Sequence, residues 1–270
     1  MQWREALSGM FASLAALRDR PVPDLSSVRQ RKQGSRDMPI DSRQARASDP
    51  LLPLADFGVE GRSYYAHDRN PPYWARVEGA VETLYARTAI GELLRAVNNR
   101  LAQARLRLHV HDAWRPRAVQ AYFYETWLPG ELRKRRPDLN AEALQAEVAR
   151  YWAKPTDNPL SPAPHSTGSA VDLTIVWDDG EPLFMGSMFD DASAISATEY
   201  FETLEHADWS FSAEEARANR RLLYWVMTDA GFANHPDEWW HYSWGDQMWA
   251  KVTGQPAAIY GLAAPPNGAK

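Results

Sequence analysis

The chain has 270 residues, 44% of them hydrophobic and 24% charged, with a formal net charge of −5. That is enough apolar material for a full core, and a mild acidic excess gives no electrostatic ground for a nucleic-acid partner. Cysteine is absent, which excludes disulfides, thiolate metal sites and a cysteine nucleophile, so any metal must rest on imidazole, carboxylate or carbonyl donors.

No stretch approaches the roughly 18 consecutive apolar residues of a membrane span. The opening Met1-Gln2-Trp3-Arg4-Glu5 has no basic start, long apolar run or small-residue cleavage site. The expectation is a cytoplasmic protein without membrane attachment. Leu7, Met10, Phe11, Leu14 and Leu17 recur at helical spacing and predict a short amphipathic helix that ends before Pro21 and Pro23. From about Val28 to Pro50, basic residues (Arg29, Arg31, Lys32, Arg36, Arg43, Arg46) stand among Gln, Ser, Gly and Asp without aromatic stacking partners. This composition predicts a solvated extended arm or link. Residues 1–50 thus read as an N-terminal helix and basic arm, and 51–270 as the main domain.

Within that domain Ile90, Leu93, Leu94, Val97 and Leu101 predict a helix. Leu106, Leu108 and Val110 alternate with Arg107, His109 and His111, which predicts a strand. Asp112-Ala113-Trp114-Arg115-Pro116 breaks it, and Pro116 opens a helix from Arg117 to about Trp127. Residues 141–152 are helical. A Pro-rich loop, Pro155 to Pro164, leads into His165, and Ser169 to Trp177 reads as a strand. Glu214 to Asp229 is a helix with Leu222, Leu223 and Val226 inward, capped by Gly231. Glu238 to Trp244 reads as a strand by its aromatic content. Strands and helices do not alternate regularly, which favours an α+β fold. Of the 12 tryptophans, some are expected to wall a pocket.

Two segments carry chemistry. His165-Ser166-Thr167-Gly168-Ser169-Ala170-Val171-Asp172 sets a histidine seven residues before an aspartate, with Gly168 free to turn between them. An aspartate within an apolar strand needs a partner, and a metal ion supplies one. In Glu238-Trp239-Trp240-His241 the end residues would diverge on a regular strand, so a shared site requires a bend near Glu238, which Pro236 makes plausible. Imidazole and carboxylate suit Zn²⁺, three protein ligands leave a fourth position for water, and a carboxylate off the metal can take that water's proton. The residue types alone leave open the alternative of buried, hydrogen-bonded histidines. His109 and His111 share a strand face and form a rival ligand pair, although hydrogen bonding beneath the Arg115 loop is the plainer reading. His67, His206 and His235 read as ordinary surface histidines. Ser166 lacks a Gly-x-Ser-x-Gly elbow and reads as a supporting hydroxyl. Alternation allows at most one of Trp239 and Trp240 to border the pocket.

At these residues the sequence resembles the D-alanyl-D-alanine dipeptidase family. The 165–172 segment is similar to its His-x-x-Gly-x-Ala-x-Asp motif, and 238–241 to its Glu-x-Trp-His motif. The resemblance covers roughly Phe57 to Ala250. It implies a hedgehog/D,D-peptidase-like fold with a central, mostly antiparallel sheet and flanking helices. It also implies one zinc ion per chain on His165, Asp172 and His241, with Glu238 as catalytic acid/base. Asp112-Ala113-Trp114-Arg115-Pro116 resembles the segment whose arginine stabilises the tetrahedral intermediate, which implies Arg115. Met185-Gly186-Ser187-Met188-Phe189-Asp190 resembles the segment whose aspartate binds the substrate ammonium, which implies Asp190. Tyr64-Tyr65-Ala66 resembles the pair whose tyrosine lines the pocket, here taken as Tyr65. One departure is clear: the family's serine two residues before the first histidine is Ala163. The implied activity is zinc-dependent hydrolysis of D-Ala-D-Ala, a small dipeptide partner. The alternatives are a related zinc D,D- or L,D-carboxypeptidase or amidase, favoured less by Asp190, and a non-catalytic zinc module, which would not need Glu238 or Arg115.

Overall fold

The structure, a computed structural model, describes residues 14–205 and 210–266. The architecture is α+β, as expected. Short strands β1 (Leu51–Pro53) and β3 (Tyr85–Arg87) pair antiparallel. The central sheet holds β2 (Glu60–Gly61), β4 (Leu106–Asp112), β5 (Ala170–Trp177), β7 (His241–Ser243) and β6 (Ala233–Asn234), in the order β2-β4-β5-β7-β6. Only the β2–β4 pair is parallel; the other pairs are antiparallel.

Alternation governs β4: Leu106, Leu108, Val110 and Asp112 are buried, while Arg107, His109 and His111 lie half-buried on the other face. The central strand β5 is covered on both faces and is buried from Ala170 to Val176. Register then does the positioning. Asp172 of β5 lies opposite Asp112 of β4 on one side and opposite His241 of β7 on the other. A register shift between Val110 and Asp112 brings Asp112 into that row.

The helix Thr88–Leu101 buries Ile90, Leu94, Val97 and Leu101, and Asn98 accepts a hydrogen bond from the Leu108 backbone N–H at 2.7 Å. The helix Phe211–Asp229 buries Leu222, Leu223, Val226 and Met227. Ser210 caps its start through the Ala213 N–H at 3.1 Å. Gly231, at φ 95°, follows its end in the left-handed conformation expected of a C-terminal cap. Ala141–Tyr151 is helical, as the pattern predicts.

Three segments differ from expectation. The helix that opens at Arg117 continues through a π-helical stretch, Tyr122–Trp127, into a further helix, Leu128–Arg135. Glu238–Trp244 is strand only at His241–Ser243. The basic segment is not extended: Ser26–Lys32 is helical, and its cations are met by the main domain. Arg29 pairs with Asp237 at 3.0 Å and also with Glu199. Arg36 donates to the backbone carbonyls of Lys154 and Ser161. The predicted N-terminal helix is seen at residues 14–19, with Leu14 and Leu17 buried in the core; Leu7, Met10 and Phe11 lie outside the described residues.

Candidate metal centre and cleft

The Pro164–Thr167 turn carries His165, and Gly168 at φ 74° reverses the chain into β5. His165 Nδ1 donates to the Ala113 carbonyl at 2.8 Å, which leaves the Nε2 lone pair facing inward. His241 contributes the opposite nitrogen: its Nε2 meets Ser243 Oγ at 3.3 Å and its Nδ1 faces the cluster. There Nδ1 lies 3.1 Å from His165 Nε2 and 3.0 Å from Asp172 Oδ1. One donor atom from each of His165, Asp172 and His241 falls within 4.8 Å of the others, and all three side chains are buried.

This donor set fits a metal ion. Two ring nitrogens point their lone pairs at one another and at a carboxylate, a juxtaposition that a cation between them satisfies. Burial pushes His241 down to about 4, so its ring is neutral, as a ligand must be. Burial opposes ionisation of Asp172, but its interactions with the imidazoles of His165 and His241, hydrogen bonds included, outweigh it and hold the carboxyl well below the usual range.

Glu238 reaches the cluster through the bend that the spacing required. Its N–H donates to the His235 carbonyl at 3.1 Å, and its own carbonyl accepts from the His241 N–H at 3.2 Å. Asn234 Nδ2 clamps this turn through the Glu238 and His241 carbonyls. The Glu238 carboxylate lies 3.6 Å from His241 Nδ1. It is buried, and burial followed by the charge of Asp172 raises it well above the ordinary carboxylate range.

Arg115 is held on every side. Its Nε meets Asp112 at 2.8 Å, Nη1 meets Gln120 at 2.9 Å and Nη2 meets Asp172 at 3.1 Å. The guanidinium lies over the Trp152 ring at 4.5 Å. Asp190, at φ 60°, accepts hydrogen bonds from the hydroxyls of Tyr65 (2.7 Å) and Tyr73 (2.8 Å). Burial, aided by the charge of Asp172, pushes Asp190 up to about 7. One cleft is lined by Arg115, His165, Asp172, Asp190, Glu238 and His241. Tyr65 is buried behind it and touches both Asp190 and Arg115.

Several residues of the cleft have no signature in the sequence pattern. Gln120, Trp152 and Tyr73 hold Arg115 and Asp190, and Asp112 anchors Arg115 from within a strand. His235 is not a surface residue: its side chain is 12% exposed and lines the cleft. His109 and His111 lie on the opposite face of β4, and the His111 ring stacks on Phe189 at 5.0 Å rather than bonding beneath the Arg115 loop. Among the described residues, the one cluster suited to a metal is His165, Asp172 and His241. Trp239 and Trp240 are both buried, Trp239 donating to Ser187 Oγ and Trp240 packed on Phe189; among the described residues the tryptophan lining the cleft is Trp152. Ala163 is buried just before the His165 turn. His206 lies outside the described residues.

A buried triad able to hold a metal ion, beside a further carboxylate and a fixed guanidinium, is a donor arrangement suited to metal-assisted hydrolysis. Comparison with known families supplies the particular. A family described as D-ala-D-ala dipeptidase matches residues 53–257, and the chain belongs to that family, whose members are metallopeptidases. A protein of Synechocystis sp. named D-alanyl-D-alanine dipeptidase is 40% identical over 173 residues, covering 57% of this chain and 69% of the relative. An Enterococcus faecium protein of the same name is 41% identical over 138 residues, covering 50% of this chain and 61% of its own. One from Escherichia coli is 30% identical over 137 residues, covering 51% and 54%.

Proposed function

We propose that the chain is a zinc-dependent dipeptidase acting on D-Ala-D-Ala, with residues 51–270 as its catalytic domain. The observation that carries this reading is the convergence of two imidazoles and a carboxylate, with the Glu238 carboxylate 3.6 Å from His241. His165, Asp172 and His241 would hold one zinc ion. A bound zinc ion supplies Lewis acidity, polarising the scissile carbonyl and making water acidic.

The chain's own groups do the rest. Asp190 binds the substrate ammonium, with Tyr65 and Tyr73 fixing its carboxylate. Glu238 takes a proton from the attacking water and returns it to the departing amine. A cation held by the three donors would lower Glu238 from its raised value toward the range where it can do both. Arg115, held rigid by Asp112 and Gln120, faces the negative charge that develops on the carbonyl oxygen. A buried Asp190 demands a free amino terminus, because a blocked one would leave it unpaired.

The test is an assay of the purified, zinc-loaded protein on D-Ala-D-Ala, its N-acetyl derivative, L-Ala-L-Ala and D-Ala-D-lactate. The expected result is release of D-alanine from the first and little reaction with the N-blocked and L,L compounds. Preference for an N-blocked or longer wall peptide would make it a carboxypeptidase instead, and zinc binding with no hydrolysis would make it a binding module. A cytoplasmic site of action, where the free dipeptide is a soluble metabolite, belongs to the same proposal and is checked by cell fractionation.

A further inference from the structure

The family match begins at residue 53, yet the helix Ser26–Lys32 before it ends against the turn that carries Glu238. The Lys32 ammonium contacts His235 Nε2 and lies 3.7 Å from Asp237 Oδ2. His235 also lines the metal cleft. On its other side it lines a second cavity of about 340 Å³, which adjoins the cleft along Tyr151, Ala153, Pro164 and His235. Four cations face that second cavity: Lys32, Arg36, Arg150 and Lys154.

The acids facing Lys32 are Glu238 and Asp237, and Asp237 is shared with other cations. Asp237 is met by Arg29 at 3.0 Å and Arg150 at 3.4 Å as well as by Lys32 at 3.7 Å. Arg36 donates through its terminal nitrogens to the Lys154 and Ser161 carbonyls, and its buried Nε has no hydrogen-bond partner among the described residues. Lys32 keeps donor capacity beyond its contact with His235, since an ammonium has three N–H groups and Asp237 stands beyond hydrogen-bond range. Burial pulls Lys32 below its ordinary value, against the opposing charges of Glu238 and Asp237.

Substrate polarity gives these cations a use. With the ammonium on Asp190 and the scissile bond at the metal, the leaving residue lies on the Glu238 side, because Glu238 protonates its amine. An extended dipeptide spans roughly 7 Å, so its carboxylate falls beyond Glu238, toward His235. The hydroxyl expected before His165 is missing, because Ala163 stands there.

We propose that Lys32, delivered by the segment that precedes the family match, is the group that reads the substrate's C-terminal carboxylate, with Arg36 and Arg150 behind it. The chemical class recognised is therefore a short peptide with a free carboxyl end. This rests on the dipeptidase reading above, and the experiment keeps the two apart. Steady-state constants are measured for D-Ala-D-Ala and its C-terminal amide with the zinc-loaded full chain, its Lys32→Met, Lys32→Gln and Lys32→Arg variants, and metal content for each. The wild type is expected to favour the free acid at least tenfold in KM. Lys32→Met and Lys32→Gln, made in parallel so that either folded variant decides, should cut that preference about tenfold, and Lys32→Arg should retain most of it. A merely structural role would depress both substrates alike and leave their ratio intact; that result, or a wild type that does not distinguish acid from amide, overturns the proposal. A wild type that hydrolyses neither compound overturns the dipeptidase reading itself.

Discussion

Glu238 and Asp190 are both buried carboxyls raised above their ordinary range, but they are set for different work. Glu238 stands 3.6 Å from His241 Nδ1, in the proposed metal cluster, whereas Asp190 is tied to two tyrosine hydroxyls. Glu238→Gln keeps the shape and removes the carboxylate proposed to carry the proton. It is expected to lower kcat by about 10²–10⁴-fold while metal analysis still finds zinc; full zinc with near-normal kcat would contradict its role as base. Asp190→Asn should raise KM for the dipeptide much more than it lowers kcat. The same variant reports on pH. The folded value of Asp190, about 7, lies above the unfolded carboxylate value. Its contribution to stability is therefore complete below about pH 4 and lost as pH rises toward 7. In the metal-free protein Asp190→Asn should be close to neutral near pH 3.5 and stabilising by a few kcal/mol at pH 8 (about 1.4 kcal/mol per unit at most). Urea melts at the two pH values check it, and equal effects at both would show that the carboxyl does not titrate in that interval.

At the scale of elements, the site is a consequence of strand register. Asp112, Asp172 and His241 form one row across β4, β5 and β7, and His165 is delivered to that row by a single turn. Gly168 makes the turn possible. Its φ is 74°, and an added Cβ would come within 2.2 Å of the Leu51 side chain. Gly168→Ala is expected to destabilise by about 1–3 kcal/mol and to weaken zinc affinity by displacing His165; unchanged denaturation and metal titration curves would contradict this. The strands β4 and β5 and the helix Thr88–Leu101 were legible in the sequence because their apolar spacing reflects which face each buries. The bend at Glu238 could be inferred only from the chemistry demanded of it, since Trp239 and Trp240 disguise a turn as a strand. The helix Ser26–Lys32 was not legible. It has no buried residue, and its stabilising partners, Glu199 and Asp237, lie more than 160 positions away in the chain. His235 was misread for a related reason: it is covered by Lys32, which local spacing could not reveal. Gln120 and Trp152 act on Arg115 through tertiary contacts alone.

For the whole molecule, a metal at this cluster would be coupled to the fold. The three donors come from the Pro164–Thr167 turn, β5 and β7, so an ion among them ties separate parts of the chain. Zinc at about 1,000 times its Kd should stabilise the native state by about 4 kcal/mol, which for a chain of this size raises Tm by about 10 °C. Thermal melts before and after chelation, with zinc restored as control, measure it; a Tm indifferent to zinc would mean that the ion does not bind the native cluster. The most direct measurement of the central claim is anomalous X-ray scattering at the zinc edge from crystals of the zinc-loaded protein. The account predicts one strong peak per chain among His165 Nε2, Asp172 and His241 Nδ1, and a peak elsewhere, or none at those three residues, would contradict it.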